Sequence, residues 1–361
     1  MNTQRPIKIA IASFAHEHAL SYASILSRMP GIEILTADPD GALATDGATR
    51  GSELAHQMGL NYVDDYSDLL AWQPDAVIVT SENSRHRELV ERAAGAGAHI
   101  LCEKPIATEI KDAEAMVAAC RDAGAILMIA YPVRFSPAFA SLKNHLAAGH
   151  LGEPISVSGT NNGKIPSTSR GWFTDQELAG GGALIDHIVH CADLIDSMTD
   201  GEQPLSVYAV ANTILHADKN ISVETGGLVT ITYESGLIAS IDCSWSLPDS
   251  AATWGSLTLQ VVGTKGTIEI EPFTESISGI GADGPLHVTS SPNLDRLLLA
   301  EFISAVRHSG RAVFGSTPKI SAQPDGGVGI RTLKIVAAAR TSAKNHQPVL
   351  ISQLNAPHPA V

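Results

Sequence analysis

The strongest constraint on this chain is an alternation in its first third, where short runs that are apolar on both faces recur between segments of helical spacing. Ile7–Ala12, Ile32–Ala37, 76–80, His99–Cys102 and 126–129 read as strands. Between them, 21–29, 52–58, 85–94 and 110–123 carry strong helix formers at helical spacing. A strand that is apolar on both faces needs cover on both sides, and a helix after each strand supplies it. The pattern therefore predicts a doubly wound parallel sheet over residues 1–132. Ligands of such a sheet bind beyond the carboxyl ends of its strands.

From about residue 133 the pattern changes. One helix is expected after Gly180-Gly181-Gly182, and then 205–215, 223–233, 237–245, 256–262 and 267–270 follow as consecutive strands. Glu234-Ser235-Gly236 and 263–266 supply turns between them, which favours an antiparallel sheet in a second domain over 133–361. The Gly-, Ser- and Pro-rich stretch 271–293 reads as a long surface loop, and helices at 294–308 and 326–344 close the chain.

Charge narrows the partners. With 24 Lys+Arg against 38 Asp+Glu, the net charge of -14 repels phosphate backbones and anionic lipid, so neither nucleic acid nor a membrane surface is expected. No uninterrupted apolar run has the length of a membrane span. The N-terminal run 7–15 is broken by His16, Glu17 and His18 and reads as a buried strand rather than a secretory signal, which gives a cytoplasmic expectation. Cys102, Cys120, Cys191 and Cys243 are too dispersed for a zinc knuckle or a disulfide framework and read as small buried apolar residues.

The first turn is the least conventional part. A dinucleotide-binding turn uses three glycines after the first strand so that backbone can approach pyrophosphate and the next helix can pack closely. Here the place is held by Ala12-Ser13-Phe14-Ala15-His16-Glu17, without a glycine. Asp38, at the end of the second strand, can accept hydrogen bonds from an adenosine ribose and repel a 2'-phosphate, favouring NAD over NADP. It reads equally as the first residue of an Asp38-Pro39-Asp40-Gly41 turn.

Two motifs then carry a resemblance: Cys102-Glu103-Lys104-Pro105 after a strand, and Gly180-Gly181-Gly182 leading into a helix that holds Asp186, His187 and His190. Together with 80–86, 131–137, 171–173, 263–266 and 326–344, they make the chain resemble the Gfo/Idh/MocA oxidoreductases over nearly its whole length. The resemblance implies an α/β fold: a Rossmann domain followed by an α/β domain with an open, mostly antiparallel sheet often used for oligomer contacts. It implies hydride transfer between NAD(P) and a carbinol of a sugar, inositol or sugar derivative. It assigns catalysis to Lys104, Asp186 and His190, and a cis Lys104-Pro105 bond is common in the family. Expected cofactor-binding residues are Ser13, Phe14, Ala15, Asp38, Ser81, Asn83, His86, Glu103 and Lys104. Two departures stand out: the eroded glycine turn, and Glu82 where the family has proline.

The residue chemistry agrees. Asp186 and His190 lie four apart on a helix, hence on one face, where the carboxylate can orient an imidazole that takes a hydroxyl proton. Lys104 can hydrogen-bond the same oxygen or act as the base itself, and the residues leave both open. Expected substrate contacts are His16, Tyr131, Arg134, Trp172 and His187, with Arg134 equally readable as a structural ion-pair partner. The density of histidines at 16, 18, 86, 187 and 190 raises a divalent metal as an alternative, with His187, His190 and Asp186 as ligands, against a leading expectation of no metal. The leading reading is an NAD-dependent dehydrogenase that forms a homodimer or homotetramer. The alternatives are a non-redox or metal-assisted sugar-modifying enzyme and a non-catalytic sugar or nucleotide sensor.

Overall fold

The computed structural model describes all residues except 1–4, 45–46, 167–169, 220, 274–275, 282–283, 290, 319 and 355–361. It divides into two units. The first comprises Met1–Tyr131, Pro166–Gly180 and Asp295–Ile330; the second comprises Pro132–Ile165, Gly181–Leu294 and Arg331–Val361. Packing therefore replaces the expected single boundary after residue 132 with a discontinuous division.

In chain order, the first unit begins with β1 (Ile7–Ala12), α1 (His18–Leu26), β2 (Ile32–Ala37), α2 (Gly51–Gln57), α3 (Tyr66–Ala71), β3 (Ala76–Val79), α4 (His86–Gly95), β4 (His99–Cys102), α5 (Ile110–Ala123) and β5 (Leu127–Ile129). The strands form one parallel sheet of order β2-β1-β3-β4-β5. Ile9, Ile11, Ile78, Val79, Ile100 and Leu101 are completely buried on its two faces, as the doubly apolar runs require. The helix α5 stops at Gly124, whose φ of 65° closes the last turn in the left-handed conformation.

The second unit opens with α6 (Pro137–Ala147), started by Pro137 and by Ser136, whose hydroxyl accepts from the Phe139 amide at 3.1 Å. After β6 (Pro154–Gly163), the one-turn helix α7 (Gln176–Ala179) lies in the returning segment of the first unit. Then come α8 (Ala183–Met198), β7 (Pro204–Asn212), β8 (Gly226–Tyr233), β9 (Ile238–Ser244), β10 (Gly255–Gly263), β11 (Gly266–Ile270), β12 (Ser276–Gly281) and β13 (Gly284–Thr289); α9 (Leu294–Ser309) belongs to the first unit from Asp295 on, α10 (Gly326–Asn345) passes from the first unit to the second after Ile330, and β14 (Val349–Leu350) ends the second. The seven-stranded sheet runs β11-β10-β6-β9-β8-β7-β14, antiparallel throughout except for the parallel β6–β9 pair. The helix α8 covers one face. It lies close to β6 because position 159 is glycine: a Cβ there would come within 2.9 Å of the Cys191 sulfur.

Two sequence expectations are corrected. β6 was not foreseen, because its Ser-, Asn- and Gly-rich sequence lacks the β-branched alternation of a strand. The stretch 271–293 is not a bare loop: β12 and β13 pair across it as an antiparallel hairpin. One helical stretch, Gln176–Met198, has the length and hydropathy of a membrane span, but 83% of it is buried inside the protein, as in a core helix.

Candidate active-site residues and the nucleotide turn

Beyond the carboxyl ends of the first sheet, two charged clusters form. Ser13, the residue after β1, holds a φ of 77°, so the turn keeps a left-handed residue without a glycine. The turn's amides are largely engaged within the turn and its neighbours. Ser13 N–H donates to the Ala37 carbonyl, His16 N–H to Thr80, Ala15 N–H to Ser13 Oγ and His18 N–H to His16 Nδ1. Phe14 and Ala15 are completely buried.

The first cluster centres on Arg50. Its Nη2 and Nε donate to the two oxygens of Asp38 at 2.7 and 3.0 Å, and its Nη1 donates to Glu82 Oε1 at 2.7 Å. Asp38 also accepts from Gly51 N–H at 3.0 Å and from the Ser13 hydroxyl at 3.1 Å. All three charged groups are buried. Asp38 thus stands where the sequence places a ribose acceptor, but its carboxylate is held by Arg50, a residue sequence reading did not single out.

The second cluster centres on Glu103, completely buried at the end of β4. Its Oε1 lies 2.9 Å from His18 Nδ1 and accepts from the Tyr22 hydroxyl at 2.7 Å, and its Oε2 lies 3.9 Å from His16 Nε2. Burial alone would raise this carboxyl, but the His16 and His18 rings and the Tyr22 hydroxyl hold it well below the usual carboxylate range. Burial likewise disfavours charge on His18, yet Glu103 carries its pKa up to about 9. Lys104 follows, buried, with a cis bond to Pro105.

Other expected ligand residues have structural partners. His86 is completely buried, with Nδ1 3.0 Å from the Pro105 carbonyl and Nε2 3.2 Å from that of Ser81. Burial pushes its pKa down, although those carbonyls favour the protonated ring. Trp172 belongs to the first unit, not to the second domain as expected. Its indole N–H donates to the Ala15 carbonyl at 3.0 Å, and its ring stacks on Phe173, which meets His16 edge-on. Its polar tip is therefore occupied. His16 is also buried, near Glu103, and Tyr131 is buried too.

In the second unit, Gly182 leads into α8. A Cβ at that position would stand 1.9 Å from the Glu224 carbonyl oxygen, so only glycine fits. The Glu224 carboxylate caps the helix, accepting from the Gly182 and Leu184 amides at 2.9 and 3.2 Å. One turn on, the Asp186 carboxylate accepts from the Trp245 indole at 3.1 Å and pairs with His187 Nε2 at 3.0 Å. The His187 Nδ1 faces the Asn161 carbonyl at 2.6 Å. His187 is thus an orienting partner of Asp186. His190 is half-buried on the same helix. Arg134 pairs with Asp193 at 2.6 Å, and Asp196 binds Arg331 through both oxygens, so Arg134 has the ion-pair partner that its alternative reading called for.

The buried acceptors after β3 fit a ribose-bearing cofactor. Asn83 donates its amide N–H to the Ala179 carbonyl at 2.9 Å, while its Oδ1, like Glu82 Oε2, is buried without a hydrogen-bond partner among the described residues. Such acceptors suit ribose hydroxyls, which are donors.

Comparison with known proteins finds two family domains that meet between residues 131 and 139, near the boundary read from the sequence. Residues 38–131 match an oxidoreductase family domain described as an NAD-binding Rossmann fold, and residues 139–269 match the GFO/IDH/MocA C-terminal domain. The first match starts at Asp38, beyond β1, its turn and α1. The 1,5-anhydro-D-fructose reductase of Ensifer adhaerens is 29% identical over 278 residues, 75% of this chain and 81% of that protein. The D-apiose dehydrogenase of Paraburkholderia graminis is 28% identical over 316 residues, 83% of this chain and 79% of that protein. Among solved structures, GenD2 from gentamicin A biosynthesis in complex with NAD superposes with a TM-score of 0.80 at 21% identity, covering 97% of each chain.

Proposed function

Because the chain belongs to the GFO/IDH/MocA oxidoreductases and carries their NAD-binding Rossmann domain, we propose that it is an NAD-dependent dehydrogenase acting on a carbinol of a sugar, inositol or related polyol. The observation that carries this reading is that the chain holds both Lys104, buried after β4, and the Glu224-capped helix bearing Asp186 and His190. NAD, when bound, takes or returns the hydride. Asn83 and Glu82 offer acceptors to its ribose hydroxyls, and Asp38 joins them once Arg50 releases it. Lys104 and His190 are the proton-handling residues, with Asp186 holding charge close to the helix start. The sugar or polyol class rests on the names of the relatives and on these hydroxyl-directed groups.

The protein works in the cytoplasm as a homo-oligomer. The support for assembly is the sheet face opposite α8, where Leu205, Tyr208, Val210, Leu228 and Ile238 are 40–51% exposed, an apolar surface that a second copy would cover.

The deciding experiment denatures fresh protein, looks for released nicotinamide by mass spectrometry, and titrates the native protein with NADH and NADPH by fluorescence. Micromolar NADH binding with much weaker NADPH binding is expected. A polyol and sugar screen follows, in which Lys104→Ala and His190→Ala should each lower turnover by about 10²- to 10⁴-fold. No nicotinamide and no titration would remove the hydride-transfer reading. Unchanged turnover in both variants would remove the assignment of the proton.

A further inference from the structure

The roles proposed above for hydride transfer leave unassigned the cluster built on the turn after β1. His16 and His18 stand two apart in the chain, Glu103 arrives from the end of β4, and each offers a ligand atom within 4.8 Å of the other two. Two atoms bound about 2.0 to 2.2 Å from one ion can stand up to about 4.4 Å apart, and the separations of 2.9 Å from His18 Nδ1 to Oε1 and 3.9 Å from His16 Nε2 to Oε2 lie within that reach. Glu103 and His16 are buried and His18 is partly exposed, so the set is closed toward the core and accessible at one member. The Tyr22 hydroxyl donates to Glu103 Oε1 at 2.7 Å, the kind of outer contact that fixes a ligating carboxylate. Phe173, edge-on to His16 at 5.4 Å and stacked on Trp172, forms an apolar wall beside it.

We propose that His16, His18 and Glu103 form a binding site for a divalent first-row transition metal. Two imidazoles and one carboxylate make a three-ligand set that leaves positions open for water or a hydroxylated ligand. Coordination through His16 Nε2 puts that ring's proton on Nδ1, so the 3.2 Å contact from the His18 amide is the local interaction given up. The ligands differ from the Asp186, His187 and His190 set raised by the sequence, where Asp186 and His187 are instead tied to Trp245 and Asn161. The site lies wholly within the first unit and does not depend on the dehydrogenase reading.

The test uses the full chain, produced without a histidine tag and stripped with a chelator. Co²⁺ is titrated by visible absorption and Zn²⁺ by calorimetry, with circular dichroism reporting the fold and NADH fluorescence reporting the nucleotide domain separately. About one ion per chain is expected, and His18→Ala and Glu103→Gln should each weaken binding at least about 100-fold, the upper end of what losing even an outer-shell partner costs. Since Glu103 is completely buried, the partly exposed His18 gives the deciding variant. The exposed His145–His150 pair, with ring nitrogens 2.9 Å apart, is the competing surface site, and the His145→Ala, His150→Ala variant should bind the ion unchanged. Absence of binding in folded protein overturns the proposal. So does binding that survives His18→Ala, or that disappears with the His145–His150 pair.

Discussion

Each unit sets arginine against buried carboxylates, and the two arrangements fail in opposite ways. In the first unit, one guanidinium serves two carboxylates, Asp38 and Glu82, at the end of a sheet where ligands bind. In the second, Arg134 and Arg331 serve Asp193 and Asp196, three apart on α8. Anions outnumber the cation in the first case, so the vulnerable group is Arg50. Numbers balance in the second, and there the cost of burial falls on one carboxyl: burial raises Asp193 to about 7, against the pull of Arg134 and with repulsion from Asp196. A buried ion pair is therefore not one kind of object. Its consequences depend on which member lacks compensation.

The largest expected effect comes from removing the outnumbered cation. Arg50→Met leaves Asp38 and Glu82 buried together and should cost about 3 to 5 kcal/mol in urea unfolding. The same variant frees Asp38, so among folded molecules NADH should bind more tightly than to wild type. Weaker binding would mean that Arg50 contacts the cofactor instead of withholding Asp38 from it.

Acid behaviour should separate the clusters next. Because Asp193 holds its proton in the folded state up to about pH 7 and loses it near pH 4 when unfolded, its contribution to stability is greatest at low pH. Stability should fall by roughly 3 to 4 kcal/mol as pH rises from about 4 to 7, and Asp193→Asn should flatten that dependence in pH-resolved melts. A stability that does not change over this range in the wild type would show Arg134 to outweigh burial. Arg134→Ala should then cost more at pH 8, where Asp193 would otherwise ionise beside it, than at pH 5, with a loss of about 1 to 3 kcal/mol at the higher pH.

The smallest effect sharpens the contrast by removing burial. Arg87 pairs with Glu91 and Asp112 in a largely exposed setting, so Arg87→Ala should change stability by less than about 1 kcal/mol, and less still in high salt. A larger loss would mean that geometry, not burial, sets the strength of these pairs.

How far the sequence disclosed all this depends on the kind of signal each part carries. The β1 to β5 strands were legible because both of their faces are apolar, and α5 because its spacing and Gly124 mark both its face and its end. β6 was not, since what makes it a strand is the glycine approach of α8 and two neighbouring strands, none of which is local. Lys104, Asp186 and His190 were visible through motif resemblance. Arg50 was hidden in a polar stretch without periodicity, and its role appears only when the end of β2 meets the segment after β3. His16 and His18 were noticed together in the histidine-rich set, but Glu103 was not joined to them. The rule that carboxyl ends of neighbouring parallel strands converge is the signal that could have joined them.

The order in which the chain is made gives the discontinuous first unit another consequence. The β5 edge is completed by residues near 325: Met128 bridges to Asp325, the Ile129 amide donates to the Pro324 carbonyl, and Gly329 packs against Ile106 and Ile129. The turn after β1 likewise receives Trp172 from the returning segment. A ribosome that has released the first 131 residues has therefore delivered all five strands of the sheet but not the pieces that seal its edge and its turn. The piece for the turn follows residue 165, and the piece for the edge arrives only after most of the second unit has been synthesised. Folding of the nucleotide domain is thus tied to translation of the whole chain, and a fragment ending at residue 132 would display unsatisfied backbone at β5 and an uncovered turn.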